Sequence, residues 1–395
     1  MSRVRSVFLD ALIRRNRPFV EAAAALHREG EIPASSYVLD LDAVRENAGA
    51  FAREAAGLGL RVYAMTKQVG RNPAFMRTLG EAGIGAFVAV DMADARRIVG
   101  TGHRLGHLGH LVQVPHAESA AAAAMAPEHW TVFSREKAME AASAAHGLGH
   151  EQPLLARLHS EGDVFYLGHE GGFPALEVAR VADELDVLPG GRFAGITTFP
   201  ALLFDGDAKE VRPTPNLATL ERAAEELRRL GRSDVEVNAP GTTSTETLST
   251  LASAGATQVE PGHGLTGTTP LHAVRELPEI PAVLYLSEVS HFHAGRAFCF
   301  GGGFYIDPVF PDYSLKALVG PELEPVLAEI PPPSAIDYYG ILDVPEGRRV
   351  ATGDTVVFGF RVQAFVTRAH VVAISGTSVG APAVTGVWTS DGEAL

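Results

Sequence analysis

Hydrophobic and polar positions alternate along most of the chain in a repeating pattern. From about residue 36 to about residue 260, short apolar runs alternate with amphipathic segments that have helical spacing. An apolar stretch at residues 37–39 leads into a helical pattern that stops at Gly57, a typical helix-ending residue. Eight apolar runs, numbered one to eight, then follow near residues 61–66, 84–89, 108–114, 130–133, 153–159, 193–199, 234–238 and 256–259.

Eight apolar runs alternating with helices predict an α/β protein, a (β/α)8 barrel of the TIM type. A doubly wound open sheet is the alternative, but no glycine-rich fingerprint follows its first strand. We therefore predict a barrel over residues 34–270. The helical patterns between the runs include residues 43–56, 72–80, 93–100, 134–147, 175–186 and 216–231.

The pattern changes after about residue 270. Helical periodicity fades, and β-branched and aromatic residues dominate the runs 283–288, 297–300 and 355–367. The prolines at 331–333 indicate a turn or a sheet edge. These features predict a separate C-terminal β domain over residues 271–395. Residues 1–33 have a helical pattern, and the sequence does not decide which part they pack against.

Composition and charge exclude several classes of protein. The 395-residue chain has a formal net charge of -14, which argues against nucleic acid or an anionic membrane as a partner. Cys299 is the single cysteine, so no intrachain disulfide can form and a reducing compartment is indicated. No apolar stretch is long enough to span a bilayer, and the charged N-terminus lacks a signal-peptide core. We predict a cytoplasmic protein without membrane association.

Lys67 is the first candidate for chemistry. The chain has only four lysines, and Lys67 alone closes an apolar strand, where an ammonium group is costly to bury without a task. A residue at the carboxyl end of a barrel strand lies at the end where barrel enzymes carry their active sites. A lysine that pairs with a carboxylate or extends to solvent would look the same.

Two loops at the predicted barrel mouth add to this interpretation. Small and hydroxyl residues follow the seventh run and precede a helix, a composition that exposes backbone N–H groups to a dianion but also suits an ordinary helix N-cap. After the eighth run, Glu260 is followed by Gly262 and His263; the glycine permits close approach of a ligand, and the acid can bond a protonated ring nitrogen. An ordinary turn is the alternative. The phosphate-type loop comprises Gly241, Thr242, Thr243 and Ser244.

These motifs resemble those of a known family over residues 34 to 375. Residues 37–42 followed by 62–67, the string at 259–262, and residues 336–339 followed by 353–357 are similar to the alanine-racemase-like, fold-type III family of pyridoxal 5′-phosphate (PLP) enzymes, in its YhfX-like branch. The resemblance implies a PLP Schiff base on Lys67. It also implies phosphate binding by the two loops, a ring-nitrogen contact from Glu260, a small amino-acid substrate and a homodimer with shared active sites.

The sequence departs from the racemase pattern in two places. Alanine racemases carry arginine where this chain has Glu260, and the Glu-Pro-Gly string is similar to the fold-type III decarboxylases. A carboxylate favours a protonated ring nitrogen and hence a stronger electron sink. The racemase tyrosine is also replaced, by phenylalanine in a Phe-Cys-Phe-Gly string. Cys299 is therefore the candidate second base, with Tyr338 and His293 in reserve, although a lone cysteine is equally typical of a buried apolar position.

Three histidine groups complete the prediction. His159 resembles the ring-stacking histidine of the decarboxylases and would equally suit a core position. His291 and His293 with Cys299 have side chains that can bind a divalent metal. The remaining three, which we interpret as solvated residues before or early in strand three, toward the non-catalytic end, are His103, His107 and His110.

The expected function is a PLP-dependent amino-acid racemase or epimerase, in which Lys67 moves the Cα proton and a second base from the β domain serves the opposite face. One alternative is a PLP decarboxylase or a metal-assisted D-amino-acid dehydratase or aldolase of the same fold. The other is a non-catalytic PLP-binding protein.

Overall fold

The fold was analysed in a computed structural model that describes residues 7–305, 309–310, 315–332 and 334–395. Its contacts divide the chain into two compact units. One, which we call the sheet unit, comprises residues 1–48, 67–82 and 263–395. The other, the barrel unit, comprises residues 49–66 and 83–262.

In the described residues of the barrel unit, eight parallel strands form a closed ring, which confirms the predicted (β/α)8 barrel. Strand one is made of two short pieces; Val62 pairs with Val259 of strand eight, and Ala64 pairs with Phe87 of strand two. Barrel strands one to eight are Arg61–Val62 with Ala64–Met65, Ala86–Ala89, Arg104–Leu108, His129–Val132, Gln152–His159, Gly191–Thr197, Glu236–Asn238 and Gln258–Val259.

The barrel helices begin and end where the sequence signals place them. Asp91 and Ser134 act as N-caps, each accepting a hydrogen bond from the backbone N–H three residues later. Because the strands are covered on both faces, most of their residues are buried, including several polar ones. The α-helices are Met92–Gly100, Ser119–Ala124, Arg135–Gly147, Val178–Asp186, Pro215–Arg229 and Thr245–Ser253; short 3₁₀ turns are His116–Glu118 and Ala175–Glu177, and small strands are Phe173–Pro174, Leu202–Asp205 and Glu210–Pro213.

Strand three corrects one prediction. The apolar pattern indicated a strand over residues 108–114, whereas the strand is Arg104–Leu108 and the rest is a loop. Gly109 ends the strand with a positive φ of 78°, and a Cβ there would lie 2.6 Å from the carbonyl oxygen of Thr131. The shift moves the histidines of this segment to the carboxyl end of the strand.

The sheet unit contains a nine-stranded sheet among its described residues. Ser36–Asp40 lies within it, antiparallel to Val283–His293 and parallel to His370–Ser375, although its apolar pattern had been grouped with the barrel. All five of its residues are buried, and an apolar run is equally compatible with a buried barrel strand and with a buried strand of this sheet. The domain limits at residues 34 and 270 stay a prediction. The other strands are Arg296–Phe300, Lys316–Val319, Glu324–Glu329, Tyr339–Asp343, Thr355–Phe358 and Ala383–Trp388.

The N-terminal helices Val7–Arg15 and Arg17–Arg28 pack on this sheet. The sequence did not decide which part of the protein this segment packs against, and for its described residues the answer is the sheet. Phe19 and Val20 are fully buried in one cluster with Leu284 of the sheet. The run 355–367 was predicted as β, but its strand ends at Phe358. Gly359, the next residue, passes so close to the N-terminal helix that a Cβ there would lie 2.6 Å from the backbone of Leu9. The remaining helical elements are Pro73–Glu81, Pro270–Val274 and the 3₁₀ turns Lys67–Val69 and Ala364–Val366; Leu41–Gly57 begins in the sheet unit and ends in the barrel unit.

Pro331 and Pro332 follow the strand Glu324–Glu329, and Pro333 lies outside the described residues. In the described part of the chain, the helices are all too short or too polar to cross a membrane.

Candidate active site

A buried polar network surrounds Glu260, the residue that follows barrel strand eight. His107 Nδ1 contacts Oε1 of Glu260 in a short hydrogen bond, and Asn238 Nδ2 donates to the same oxygen at 2.9 Å. Strands three and eight are not neighbours in the barrel, so the contact from His107 crosses its interior. The network therefore ties three separate strands together at the carboxyl end of the barrel.

The network keeps Glu260 ionised. Burial by itself would raise the pKa of this carboxyl group, but the positive charges of His110 and His107 and two hydrogen bonds lower the pKa to about 2. His110 Nε2 lies 3.4 Å from Oε2 of Glu260. Among the described residues, Oε2 is buried and accepts no hydrogen bond. In the part of the chain that the structure describes, this oxygen therefore lacks a hydrogen-bond donor.

His107 and His110 were wrongly interpreted as solvated residues at the opposite end. Both are fully buried. The strand ends at Leu108 and not at residue 114, so both histidines lie at its carboxyl end. His103 is half-buried before the strand and meets the ring of Phe87 edge-on at 5.1 Å. A His-Leu-Gly-His spacing at the end of an apolar strand was the signal in the sequence.

The same side chains meet the distance requirement for a cation. The nitrogens of His107 and His110 and a carboxylate oxygen of Glu260 all lie within 4.8 Å of one another, the one such group found among the described residues. However, His107 uses both ring nitrogens in hydrogen bonds, Nδ1 to Glu260 and Nε2 to Thr131 at 2.6 Å. We therefore treat the group as a hydrogen-bonded network.

Arg157 is a second buried charge at this end of the barrel that the sequence analysis missed. It lies in strand five, and its guanidinium donates to the carbonyl oxygens of His169 at 2.7 Å and Phe199 at 3.3 Å. Phe133 covers it at 4.6 Å. Burial lowers the pKa of Arg157 to about 10, and its hydrogen-bond partners among the described residues are carbonyl oxygens, not carboxylates. A charged residue inside an apolar strand, the criterion that selected Lys67, would also have identified Arg157.

Lys67 and His263 belong to the sheet unit. Lys67 is the second residue after strand one, and its Nζ lies 5.5 Å from the ring centre of Phe365. His263 Nε2 contacts the carbonyl oxygen of Val362 at 2.8 Å. Burial, followed by the charges of Arg361 and Lys67, holds the pKa of His263 well below its usual value. This region of the sheet unit is therefore cationic.

The Gly241–Ser244 loop does not present the open donors that its composition suggested. A Cβ on Gly241 would lie 2.6 Å from the backbone nitrogen of Leu202, so the glycine serves a close approach of two chain segments. The Thr242 N–H donates to the Leu202 carbonyl at 3.1 Å, and the Ser244 N–H donates to the Thr247 hydroxyl at 2.9 Å. Both N–H groups are committed within the protein and are not available to a phosphate.

Three further candidate residues belong to the barrel unit. The Thr243 hydroxyl donates to the Gly241 carbonyl at 3.1 Å. Gly262 follows Pro261, whose carbonyl accepts from Met65 N–H at 3.0 Å and so links the ends of strands eight and one. His159 is the last residue of strand five and is half-buried. The cofactor-binding roles of these residues stay predictions.

Cys299 is not placed to act as a base. It lies in the strand Arg296–Phe300 with no exposed surface, and burial raises the pKa of its thiol to about 12. Tyr338, in contrast, is 63% exposed, with the Arg368 guanidinium 5.4 Å from its ring centre. His291 stacks on Phe298 at 4.7 Å.

We expect Cys299→Ala to leave PLP binding and turnover unchanged, because a thiol with a raised pKa carries no thiolate at neutral pH. A thiol reagent such as Ellman's reagent should react with the native protein only after unfolding, and Cys299 is the one site it can label. Rapid labelling of the folded protein, together with a large loss of turnover in Cys299→Ala, would restore the cysteine as second base.

Comparison with known proteins agrees with this architecture. Residues 39–270 match the alanine racemase N-terminal domain, and residues 284–384 match the YhfX-like C-terminal domain. The chain belongs to the alanine-racemase-like family. It is 38% identical over 393 residues to YhfX of Escherichia coli (strain K12), which covers 98% of this chain and 100% of that protein. The alanine-racemase-like family is PLP-dependent and includes racemases and lyases.

Solved structures share the fold at low sequence identity. D-threonine aldolase from Filomicrobium marinum superposes with a TM-score of 0.69 at 17% identity, over 91% of this chain and 96% of that one. D-threo-3-hydroxyaspartate dehydratase from Delftia sp. HT23 gives 0.64 at 16%, over 91% and 97%. Alanine racemase of Clostridium difficile 630 gives 0.65 at 13%, over 90% and 98%.

Proposed function

We propose that this chain binds PLP covalently at Lys67 and acts on a small amino acid, with lyase chemistry favoured over racemisation. The observation that carries the proposal is the buried, ionised Glu260 with one carboxylate oxygen lacking a donor. When bound, PLP supplies an electron sink that stabilises negative charge at the substrate Cα. The protein residues supply binding, orientation and proton transfer.

Several residues of the chain have the chemistry that this cofactor requires. A protonated pyridine nitrogen is an N–H donor, which is what Glu260 Oε2 lacks among the described residues. The cationic surroundings of Lys67 and His263 suit an anionic phosphate. Gly262 and His263 follow Glu260 after one proline and would hold the phosphate group, with the Thr242 side chain as a further contact. Arg157, a buried cation whose hydrogen-bond partners in the described part of the chain are carbonyl oxygens, suits an anionic oxygen of the cofactor or the substrate.

Each proposed residue has a separate task. Lys67, as a free amine, removes or returns the Cα proton on its own face of the substrate. With the cofactor bound, Glu260 would accept a hydrogen bond from the ring nitrogen and so favour its protonated form. His159, at the end of strand five, provides a flat side chain for the ring to lie against.

The charge on Glu260 decides between the reaction classes. A protonated ring nitrogen favours strong charge withdrawal, which suits decarboxylation, elimination or aldol cleavage. Racemisation also needs a base on the opposite face, and the buried thiol of Cys299 is unsuited to that role. The D-threonine aldolase and the hydroxyaspartate dehydratase that share the fold are, by name, enzymes that cleave or dehydrate a D-amino acid.

Racemisation is the second candidate, and exposed Tyr338 is the observation in its favour. A phenol on the surface of the sheet unit can serve the active site of a second copy of the chain. A cytoplasmic homodimer with shared active sites is part of this alternative.

Incubating the PLP-loaded protein in deuterium oxide with a panel of D- and L-amino acids tests the proposal. A lyase should release carbon dioxide, ammonia or an aldehyde from one enantiomer, as measured by NMR and coupled assays. A racemase should instead interconvert the enantiomers with deuterium at Cα and release none of these. Tight PLP binding without any exchange or product would leave a PLP carrier as the function.

A further inference from the structure

We propose that His107, held by Thr131, is a positioning residue that keeps Glu260 charged and directs its free oxygen Oε2 at the ring nitrogen of the cofactor. This inference rests on the proposed function, since it assigns a role within the same site. It concerns two side chains of the barrel interior for which sequence patterns gave no role.

The hydrogen bonds fix the orientation of His107. A carboxylate only accepts, so Nδ1 of His107 carries the proton in its bond to Glu260. Nε2 meets the Thr131 hydroxyl at 2.6 Å, and Thr131 lies on the neighbouring strand four. With a partner at each nitrogen and no exposed surface, the ring has one orientation and, in the neutral state, one tautomer.

The same network makes the two oxygens of Glu260 different. Oε1 accepts from both His107 and Asn238, whereas Oε2 accepts no hydrogen bond within the described chain. Asn238 is itself oriented, because Thr197 donates to its carbonyl oxygen at 2.7 Å and so turns the amide N–H₂ toward Glu260. A ligand that presents an N–H donor would therefore bind at Oε2.

Loss of His107 should change the charge of Glu260. Burial favours the neutral carboxyl group, and the histidines and hydrogen bonds oppose this effect. Without the Nδ1–H donor, the balance moves toward a protonated Glu260, which cannot hold a proton on a ring nitrogen. His107 and His110 are the titratable groups that act on Glu260, and His129 is affected in turn by His107.

A divalent cation is the competing explanation for the cluster. It would need a free lone pair on one ring nitrogen of His107, and both nitrogens are engaged in hydrogen bonds, to Glu260 and to Thr131. Addition of zinc to the PLP-free protein separates the two. A rise in the melting temperature with zinc that Glu260→Gln abolishes would overturn the proposal in favour of a metal site.

The first test follows the ring nitrogen directly. Protein loaded with PLP labelled with nitrogen-15 in the ring is titrated by NMR in wild type, His107→Leu, His107→Asn and His103→Leu. We expect the ring nitrogen to lose its proton about one pH unit or more lower in His107→Leu. His107→Asn, whose amide can replace the Nδ1–H donor, should restore wild-type behaviour, and His103→Leu should match wild type. An unchanged titration in His107→Leu would refute the positioning role.

The second test needs no cofactor. The lowered pKa of Glu260 stabilises the folded state above its unfolded value of about 4.3, and that contribution is lost as pH falls through about 2. His107→Leu should raise the pKa, so stability should be lost at higher pH than in wild type. In a Glu260→Gln background, His107→Leu should not change how the free energy of unfolding depends on pH. A double-mutant cycle of the two substitutions measures this coupling.

The two tests separate the inference from the proposed function. If PLP does not bind but the cycle shows coupling, the function is wrong and the role of His107 in charging Glu260 stands. If PLP binds and the cycle shows no coupling, the positioning role of His107 is wrong and the proposed function stands. If His107→Leu does not fold, Thr131→Val replaces it in both tests, because it removes only the hydroxyl that contacts Nε2 of His107. We then expect smaller changes in the ring-nitrogen titration and in the acid dependence of stability, in the same direction.

Discussion

Lys67→Ala is expected to abolish covalent retention of PLP. Wild-type protein mixed with PLP should show the absorbance of PLP bound to a lysine, and borohydride should fix the cofactor irreversibly. Mass spectrometry should then find the added mass on the peptide that contains Lys67. The alanine variant should lose both signals, because the chain offers no other lysine at the carboxyl end of a barrel strand.

Turnover should fall as well, by about 10²–10⁴-fold for the lost proton transfer alone. Lys209→Ala is the matched control, since Lys209 is exposed in the turn between the strands Leu202–Asp205 and Glu210–Pro213. It should keep wild-type absorbance and turnover. Borohydride labelling that persists in Lys67→Ala, or that is lost in Lys209→Ala, would contradict the assignment of Lys67 as the PLP-binding residue.

Glu260→Gln is expected to reduce turnover by about 10²–10³-fold while PLP remains attached to Lys67. Glutamine keeps the size of the side chain and removes the charge, so the ring nitrogen loses the partner that holds its proton. Steady-state kinetics at saturating substrate measure the effect, and the absorbance of the bound cofactor confirms that the variant is loaded.

The loss should not be equal for all reactions. Reactions that depend on the stronger electron sink should fall more than deuterium exchange at Cα, so the ratio of cleavage to exchange is the informative quantity. Glu225→Gln, an exposed glutamate on the helix Pro215–Arg229, is the control for removal of one negative charge. Full activity in Glu260→Gln would show that the buried carboxylate has a structural role only.

The local pattern of the sequence determined the fold class. Alternation of apolar runs and amphipathic helices is a property of neighbouring residues, so the barrel, and a C-terminal region rich in strands, could be predicted without knowledge of contacts. Lys67 was found in the same way, because a charge that ends an apolar strand is visible within six residues. Glu260 stood out for its place after the last run.

Tertiary structure decided what depends on residues distant in sequence. Ser36–Asp40 reads as an apolar strand in either unit, and only its pairing with Val283–His293 and His370–Ser375 assigns it to the sheet. The burial of Cys299 likewise comes from the strands on both sides of it. A pKa follows from burial and neighbouring charges, so the thiol considered as a second base has a raised pKa.

The contact between His107 and Glu260 is the clearest example of a feature that only the tertiary structure decides. The two residues are 153 positions apart, on strands that are not neighbours, and a strand boundary predicted too late placed His107 at the opposite end of the barrel. The sequence determined that a lysine and a carboxylate occur at strand ends. The closed barrel decided which histidines face that carboxylate, because closure brings strands three and eight across one interior.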